Sequence, residues 1–484
     1  MGPLSSVRRS LAYTFAEGYL GIGLQLIGTF FLARLLTPTE TGIWAVAAVF
    51  AAIASTFRDF GVGEYLIQES ELTNQKLRAA LTANIIVSWL MAVSLLAASD
   101  WIADFYSEPG IARVMSVQAF NFVLIPFGAV TFAYFRRELN YKPFFWASML
   151  SNITSFTVAL ACAWAGLGYM SLAWSSLSGV AVTVAYATFV RPRGLPRMPG
   201  LAGLPAVLHF GKHATGIYFF GQIGKSAPEL IIGRVLGMAP VAFFSRANGL
   251  TELFHRTVLR AAVPVCLPYF AQEARDGEDV RNGYLRAVSF LTAIGWPFFL
   301  FIAAMAFPAI RIIYGSQWID SVPLARILCI VAAVEVAYFL TKEVLIAKGE
   351  VKVANYLQAA LQCVRIVGLF AAIPFGLIGA CWGLLAAAVV GSIWSHRVLA
   401  TRIGLTLRQL VHACSPSLAI TAISTAPAAL WACLGEIDEN NYLITFFAAG
   451  LGSLLLWLGA IRLLGHPLWT ELRNLRSRNS TGQP

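Results

Sequence analysis

Ionisable side chains inside long apolar runs are the first feature of this chain that can do chemistry. Lys225 and Glu229 stand four residues apart in one such run, and Glu252, Arg256 and Arg260 follow at the same spacing in the next. That spacing stacks each set on one face of a helix. Glu17, Arg58 and Asp59 occupy the first half of the chain, and Arg246, Glu335, Lys342, Glu343 and Arg365 the second. At a bilayer centre each such group costs several kcal/mol unless paired or wetted, so these faces cannot look at lipid. Ion pairs gluing the bundle interior are one reading of any single residue. For the set, a water-filled, net-cationic cavity is the better reading, because apolar packing fills a dry interior at lower cost. The ligand of such a cavity is anionic. Arginine suits phosphate because its planar fork makes two charge-assisted bonds at once.

Other motifs carry less. His209 and His213 are four apart, which permits a two-histidine site, but no third ligand accompanies them, so neither a metal nor a cofactor is expected. The seven cysteines are scattered singly, and no disulfide framework follows. Pro228, between Lys225 and Glu229, marks an expected hinge or break, and Pro126, Pro264, Pro268, Pro297, Pro374, Pro416 and Pro427 interrupt other spans. Aromatic residues, 13% of the chain, read chiefly as interfacial belts.

The elements that must position these groups follow from composition. Of 484 residues 58% are hydrophobic and 12% charged, with mean hydropathy +0.70. That excludes an ordinary soluble enzyme. At about 20 apolar residues per crossing the pattern predicts an all-α polytopic membrane protein of about 14 transmembrane helices. The run after Arg8 and Arg9 reads as the first span, being too long for a signal-peptide core.

Lysine and arginine total 35 against 24 acidic residues, and their placement is lopsided. Connections on the N-terminal side collect, among others, Arg136, Arg137 and Lys142, then Arg191, Arg193, Arg197 and Lys212, then Arg462, Arg473, Arg476 and Arg478; the opposite connections hold Arg34, Arg234 and Arg311. The positive-inside rule then places both termini in the cytoplasm. Nucleic acid is not an expected partner. The longest polar stretches, 191–212 and 270–286, are too short for a folded catalytic domain, so any chemistry occurs inside the bundle.

A shift of 200 residues lays Phe31–Leu36 over Ile231–Leu236, with Arg34 on Arg234. Six helices separate the copies, so the two halves share one orientation, as in transporters built from parallel repeats. The expected organisation is an N-lobe over 1–190, an inter-lobe linker over 191–212, a C-lobe over 213–400, further helices over 401–464 and a tail over 465–484.

Leu32-Ala33-Arg34-Leu35-Leu36-Thr37-Pro38, then Thr41-Gly42-Ile43-Trp44, then Phe57-Arg58-Asp59-Phe60-Gly61-Val62-Gly63 resemble the first hairpin of polysaccharide exporters in the multidrug/oligosaccharidyl-lipid/polysaccharide superfamily. The likeness is nearest to Wzx- and WzxC-type lipid-linked oligosaccharide flippases. Glu229 to Gly237 and Ile313-Tyr314-Gly315 with Trp318 add to it; Glu229 stands where Asp is usual and Phe244 where Tyr is common. The resemblance implies two six-helix lobes around a V-shaped cavity, plus two C-terminal helices. It also implies alternating access for an undecaprenyl-pyrophosphate-linked glycan, driven by protons or sodium.

On that basis Arg256, Arg260, Lys225, Arg365, Arg58 and Arg246 are expected to bind substrate. Asp59, Glu17, Glu229, Glu252 and Glu335 are expected to couple ions. The partners would be the lipid-linked oligosaccharide, membrane lipids and polysaccharide polymerase or export machinery. A cation-coupled multidrug exporter, a lipid II flippase, a membrane-embedded glycan polymerase or ligase and a non-transporting scaffold remain as alternatives.

Overall fold

The computed structural model describes the backbone of residues 3–58, 65–66, 69, 71–434, 441–471 and 473, and their side chains except at 3–12, 14–15, 206, 208–220 and 434. The described residues are overwhelmingly helical and divide into two compact units, 1–242 and 243–484.

Unit 1 contains α1 (Pro3–Leu35), α2 (Pro38–Arg58), α3 (Asn74–Tyr106), α4 (Pro109–Leu124), α5 (Pro126–Arg137), α6 (Lys142–Trp164), α7 (Met170–Phe189) and α8 (Leu204–Val235). At 1.5 Å per residue, the 33-residue α1 and α3 each extend about 50 Å, more than the roughly 30 Å of hydrocarbon they have to cross. Their starts are written in side chains. Thr73 caps α3 by accepting from the Lys76 amide, and Glu108 caps α4 by accepting from Gly110 ahead of a Pro at the first turn.

Helices α6 and α7 form a hairpin across Gly166 and Gly168, both at positive φ (77° and 53°), where a side chain would be strained. Across their interface Ser151 and Ser155 donate to the carbonyls of Gly179 and Ser175 at 3.0 Å, and a Cβ at Gly179 would overlap both hydroxyls. Small residues and hydroxyls thus do the holding that greasy side chains do in water. Helix α2 packs closely on α8 too, where a Cβ at Gly233 would press on Val46 at 3.0 Å, and a Cβ at Gly42 of α2 would overlap the carbonyl oxygen of Met238 just past α8.

Helix α9 (Met238–Phe254) crosses the unit boundary and continues through a π turn (His255–Leu259) into α10 (Arg260–Arg275). Unit 2 continues with α11 (Val280–Ala304), α12 (Ala306–Ile313), a 3₁₀ turn (Ser316–Ser321), α13 (Val322–Val336), α14 (Thr341–Ala347), α15 (Val351–Ala372), α16 (Gly376–Ile403), α17 (Leu407–Leu434) and α18 (Tyr442–Leu463). Its core is aromatic: Phe254, Phe299 and Trp318 are fully buried, with the Phe254 and Phe299 rings 4.8 Å apart. The last hairpin is stitched to α11 by polar groups, Trp457 Nε1 donating to the Ala293 carbonyl (2.8 Å) and Thr292 Oγ1 to Ser417 Oγ (3.0 Å).

Large apolar side chains stand in the open, among them Trp101, Trp164, Phe189 and Ile444, each more than two-thirds exposed. Such a surface is stable in lipid and not in water. Among the described residues ten segments are long and apolar enough to cross a membrane, eleven if the bent α4–α5 pair is one span, and one of the ten, Val351–Ile403, holds both α15 and α16. This is a multi-pass membrane protein. The repeat seen in the sequence returns in the helix breaks: α1 ends at Leu35 and α2 begins at Pro38, while α8 ends at Val235 and α9 begins at Met238, both offset by 200 residues.

Proline behaves unevenly. Pro126 coincides with the 51° bend between α4 and α5. The break expected at Pro228 is absent, because α8 runs continuously through that buried residue. Proline removes one backbone hydrogen bond, which a helix packed on both flanks tolerates. The disruption of helical hydrogen bonding falls instead at His255–Leu259.

Candidate functional site

The π turn sits among the charged residues the sequence singled out. Its signature is the Arg260 amide donating to the carbonyl of His255, five residues back. His255 Nδ1 lies 3.1 Å from the Thr251 carbonyl, and Thr257 Oγ1 donates to the Leu253 carbonyl at 2.7 Å, so two side chains bond back along the strained stretch. The extra residue takes back about 100° of rotation; Arg260, about 80° from Glu252 in an unbroken α-helix, comes within about 20° of it. The wide turn therefore aligns Glu252, Arg256 and Arg260 better than regular spacing would.

Glu252 Oε1 and Arg256 Nε are 3.5 Å apart, with the Arg256 side chain 44% exposed. Arg260 is exposed as well, and its side chain forms no hydrogen bond or ion pair among the described residues. A carboxylate flanked by open guanidinium groups can hold an anion on the arginines and exchange a cation at the acid.

Arg365 is half-buried on α15 and Glu335 half-buried in the last turn of α13. Lys225 is exposed and Glu229 half-buried on α8, which packs within unit 1. Arg58 is half-buried at the end of α2 and Glu17 half-buried on α1. Asp59 lies outside the described residues, as do the side chains of His209 and His213; among the described residues no three metal-ligating side chains converge.

Arg246 has a different setting. Its guanidinium carbon lies 4.9 Å from the ring centroid of Trp318 and 5.3 Å from that of Tyr314, and its Nε is buried with no hydrogen-bond partner. Both rings are almost fully buried. The charge is satisfied by ring faces rather than by an acid, about 15 Å along the helix from Arg256. The repeat-related Arg34 and Arg234 also end on rings, Arg34 at 3.6 Å over Phe30 and Arg234 at 4.9 Å over Phe105.

Two features escaped the sequence reading, and a third, Glu343, was named there without its setting. Tyr314 and Trp318 appeared there only as a motif, although they clasp Arg246. On α14, Glu343 Oε2 is buried without a hydrogen-bond partner, and on α16 so is His396 Nδ1, whose ring sits 6.2 Å from that of Tyr338. A histidine inside an apolar run was the available signal for the last. The stretch 191–203, expected to begin an inter-lobe linker, lies within unit 1 and is also better anchored than its composition suggests. Thr82 Oγ1 both donates to the Gly200 carbonyl (2.9 Å) and accepts from the Gly200 amide (2.8 Å). Burial, with Arg197 nearby, lowers the pKa of Arg191, which donates to the Pro196 carbonyl.

The chain is similar to known proteins along most of its length. The chain is 23% identical over 406 residues to the teichuronic acid biosynthesis protein TuaB of Bacillus subtilis, covering 82% of this chain and 83% of that one. It is 24% identical to the lipopolysaccharide biosynthesis protein WzxC of Escherichia coli, over 78% and 77% of the two chains. Similarity to the succinoglycan biosynthesis transport protein ExoT of Rhizobium meliloti is 25%, over 67% and 66%. Among solved structures, the lipid II flippase MurJ in an inward closed conformation superposes with a TM-score of 0.73 at 12% identity, covering 94% of this chain and 99% of that one. An inward-facing multidrug resistance MATE family transporter superposes at 0.56 with 16% identity, over 81% and 95%. Those two likenesses are of fold. The family model of polysaccharide biosynthesis proteins matches residues 31–323, more than half of the chain, and the chain belongs to that family.

Proposed function

We propose that this protein moves an undecaprenyl-pyrophosphate-linked oligosaccharide, an O-antigen or exopolysaccharide repeat unit, from the cytoplasmic to the periplasmic leaflet by alternating access. The observation that carries the reading is the exposed Glu252–Arg256–Arg260 face at a π turn, in a helical membrane protein of the polysaccharide biosynthesis family. Each unsatisfied hydroxyl taken into hydrocarbon costs about 2–7 kcal/mol, so a short glycan faces tens of kcal/mol without a wet path. Arg256, Arg260, Lys225, Arg365 and Arg58 hold the pyrophosphate and acidic sugars, while the isoprenoid stays in lipid. Arg246, clasped by its rings, anchors the helix rather than binding substrate.

Protons or sodium on carboxylates among Asp59, Glu17, Glu229, Glu252 and Glu335 reset the carrier, since one charge moved across 100 mV supplies about 2.3 kcal/mol. Both termini face the cytoplasm of a bacterial inner membrane, the work is transport rather than catalysis, and the product passes to polymerase and export machinery. The test is to delete the gene and assay lipid-linked glycan on each leaflet. Accumulation on the cytoplasmic leaflet supports the reading; an unchanged distribution overturns it. Rescue of cells depleted of their lipid II flippase would redirect the substrate to lipid II.

A further inference from the structure

A cavity of about 810 Å³ opens in unit 2 at the end where α11 finishes and α13 begins, with Phe243 near the start of α9 also in its wall. Phe307, Leu377 and Ile378 are among the residues of its apolar wall, and Phe375 stands at its rim, 81% exposed. Two charges interrupt this wall, Asp320 on the 3₁₀ turn and Arg326 on α13. Both are exposed, and neither forms a hydrogen bond or an ion pair, with the other or with any described residue.

Both charges are exposed at the cavity, and the described residues leave each without an opposite partner. Here they stay apart, and an occupant bearing both complementary charges and an apolar body satisfies them together. We propose that this cavity binds a zwitterionic phospholipid with a primary ammonium, a phosphatidylethanolamine. Its phosphate accepts from the Arg326 guanidinium, its ammonium donates to the Asp320 carboxylate, and its first acyl segments lie against Phe375 and Ile378. The volume is of the size that encloses a small organic ligand, which suits a headgroup and glycerol with the chains continuing into the bilayer. A lone arginine explains an anionic lipid equally well; the acid beside it selects the ammonium. A choline headgroup has no N–H to donate and is excluded by the same contact. The site does not depend on transport, so it stands or falls separately from the function proposed above.

The experiment is native mass spectrometry of the full-length protein in detergent with equal amounts of phosphatidylethanolamine, phosphatidylglycerol and phosphatidylcholine. The wild type is expected to retain phosphatidylethanolamine about tenfold over the others, the worth of one charge-assisted hydrogen bond. Asp320→Asn is expected to abolish the preference over phosphatidylglycerol, Asp320→Lys to invert it, and Arg326→Gln to weaken retention of both lipids about tenfold. Unfolding temperatures in lipid-free detergent should match wild type for all three, since both positions are exposed. Equal retention of the three lipids by wild type, or an Asp320→Asn variant that keeps the preference, overturns the proposal.

Discussion

Arg246 and Arg256 lie on the same helical stretch, ten residues apart, and have opposite surroundings. Arg246 lies against the adjoining rings of Tyr314 and Trp318 with its Nε buried and without a hydrogen bond, whereas Arg256 is exposed beside Glu252, with exposed Arg260 one wide turn on. A guanidinium against two ring faces is held by packing and by the ring quadrupole and has little freedom to follow a ligand. One exposed beside a carboxylate keeps a side chain that can reach toward an anion. The lesson is that an intramembrane arginine serves stability or function according to its neighbours, so changes at the two sites should separate those readouts.

The largest effect is expected at the open site. Replacing Arg256 and Arg260 with Ala should lower glycan translocation in reconstituted vesicles by about 100-fold or more, two charge-assisted contacts being worth about 1.5–3 kcal/mol each. The yield of folded protein should hold, because both side chains are exposed. Near-normal translocation would remove the arginines from the substrate path and collapse the contrast.

At the clasped site the loss should appear in stability. Trp318→Ala empties a fully buried position and should cost about 3–5 kcal/mol of folding stability, visible as a lower unfolding temperature in detergent. Arg246→Leu should cost less, about 1–2 kcal/mol for two ring contacts, with translocation per folded molecule unchanged. If Arg246→Leu instead stops translocation while leaving the unfolding temperature alone, Arg246 belongs with the substrate-binding arginines.

His466 sharpens the comparison with the smallest effect. It is buried just past α18, with Nε2 3.0 Å from Ser289 Oγ and Nδ1 accepting from the Leu468 amide at 3.2 Å, which fixes the proton on Nε2. Burial lowers its pKa below the ordinary histidine value. The unfolded chain therefore binds this proton more readily than the folded one. Its contribution to stability is complete above about pH 6.5 and is lost as pH falls below it. Thermal unfolding between neutral and mildly acid pH should show that decline, and His466→Gln should flatten it. An identical slope in the variant would assign the dependence to other groups.

Much of this was legible beforehand because the bilayer makes strong demands on sequence. Apolar runs long enough to span follow from solvent physics, and the helix breaks keep the 200-residue offset that lays Arg34 on Arg234. Pro228 misled because proline lowers helix stability locally while packing decides whether a break forms. The π turn was invisible for the converse reason: Phe254-His255-Arg256-Thr257 contains no residue that forces a wide turn.

The sequence by itself determined that this chain lives in a membrane as helices and that the ionisable groups within its apolar runs concentrate in the second half. Only the tertiary structure decided which charges are clasped and which are open. Period and composition are properties of a segment read alone, whereas the setting of a guanidinium depends on rings and carbonyls brought to it from elsewhere in the chain, as Tyr314 and Trp318 are brought to Arg246.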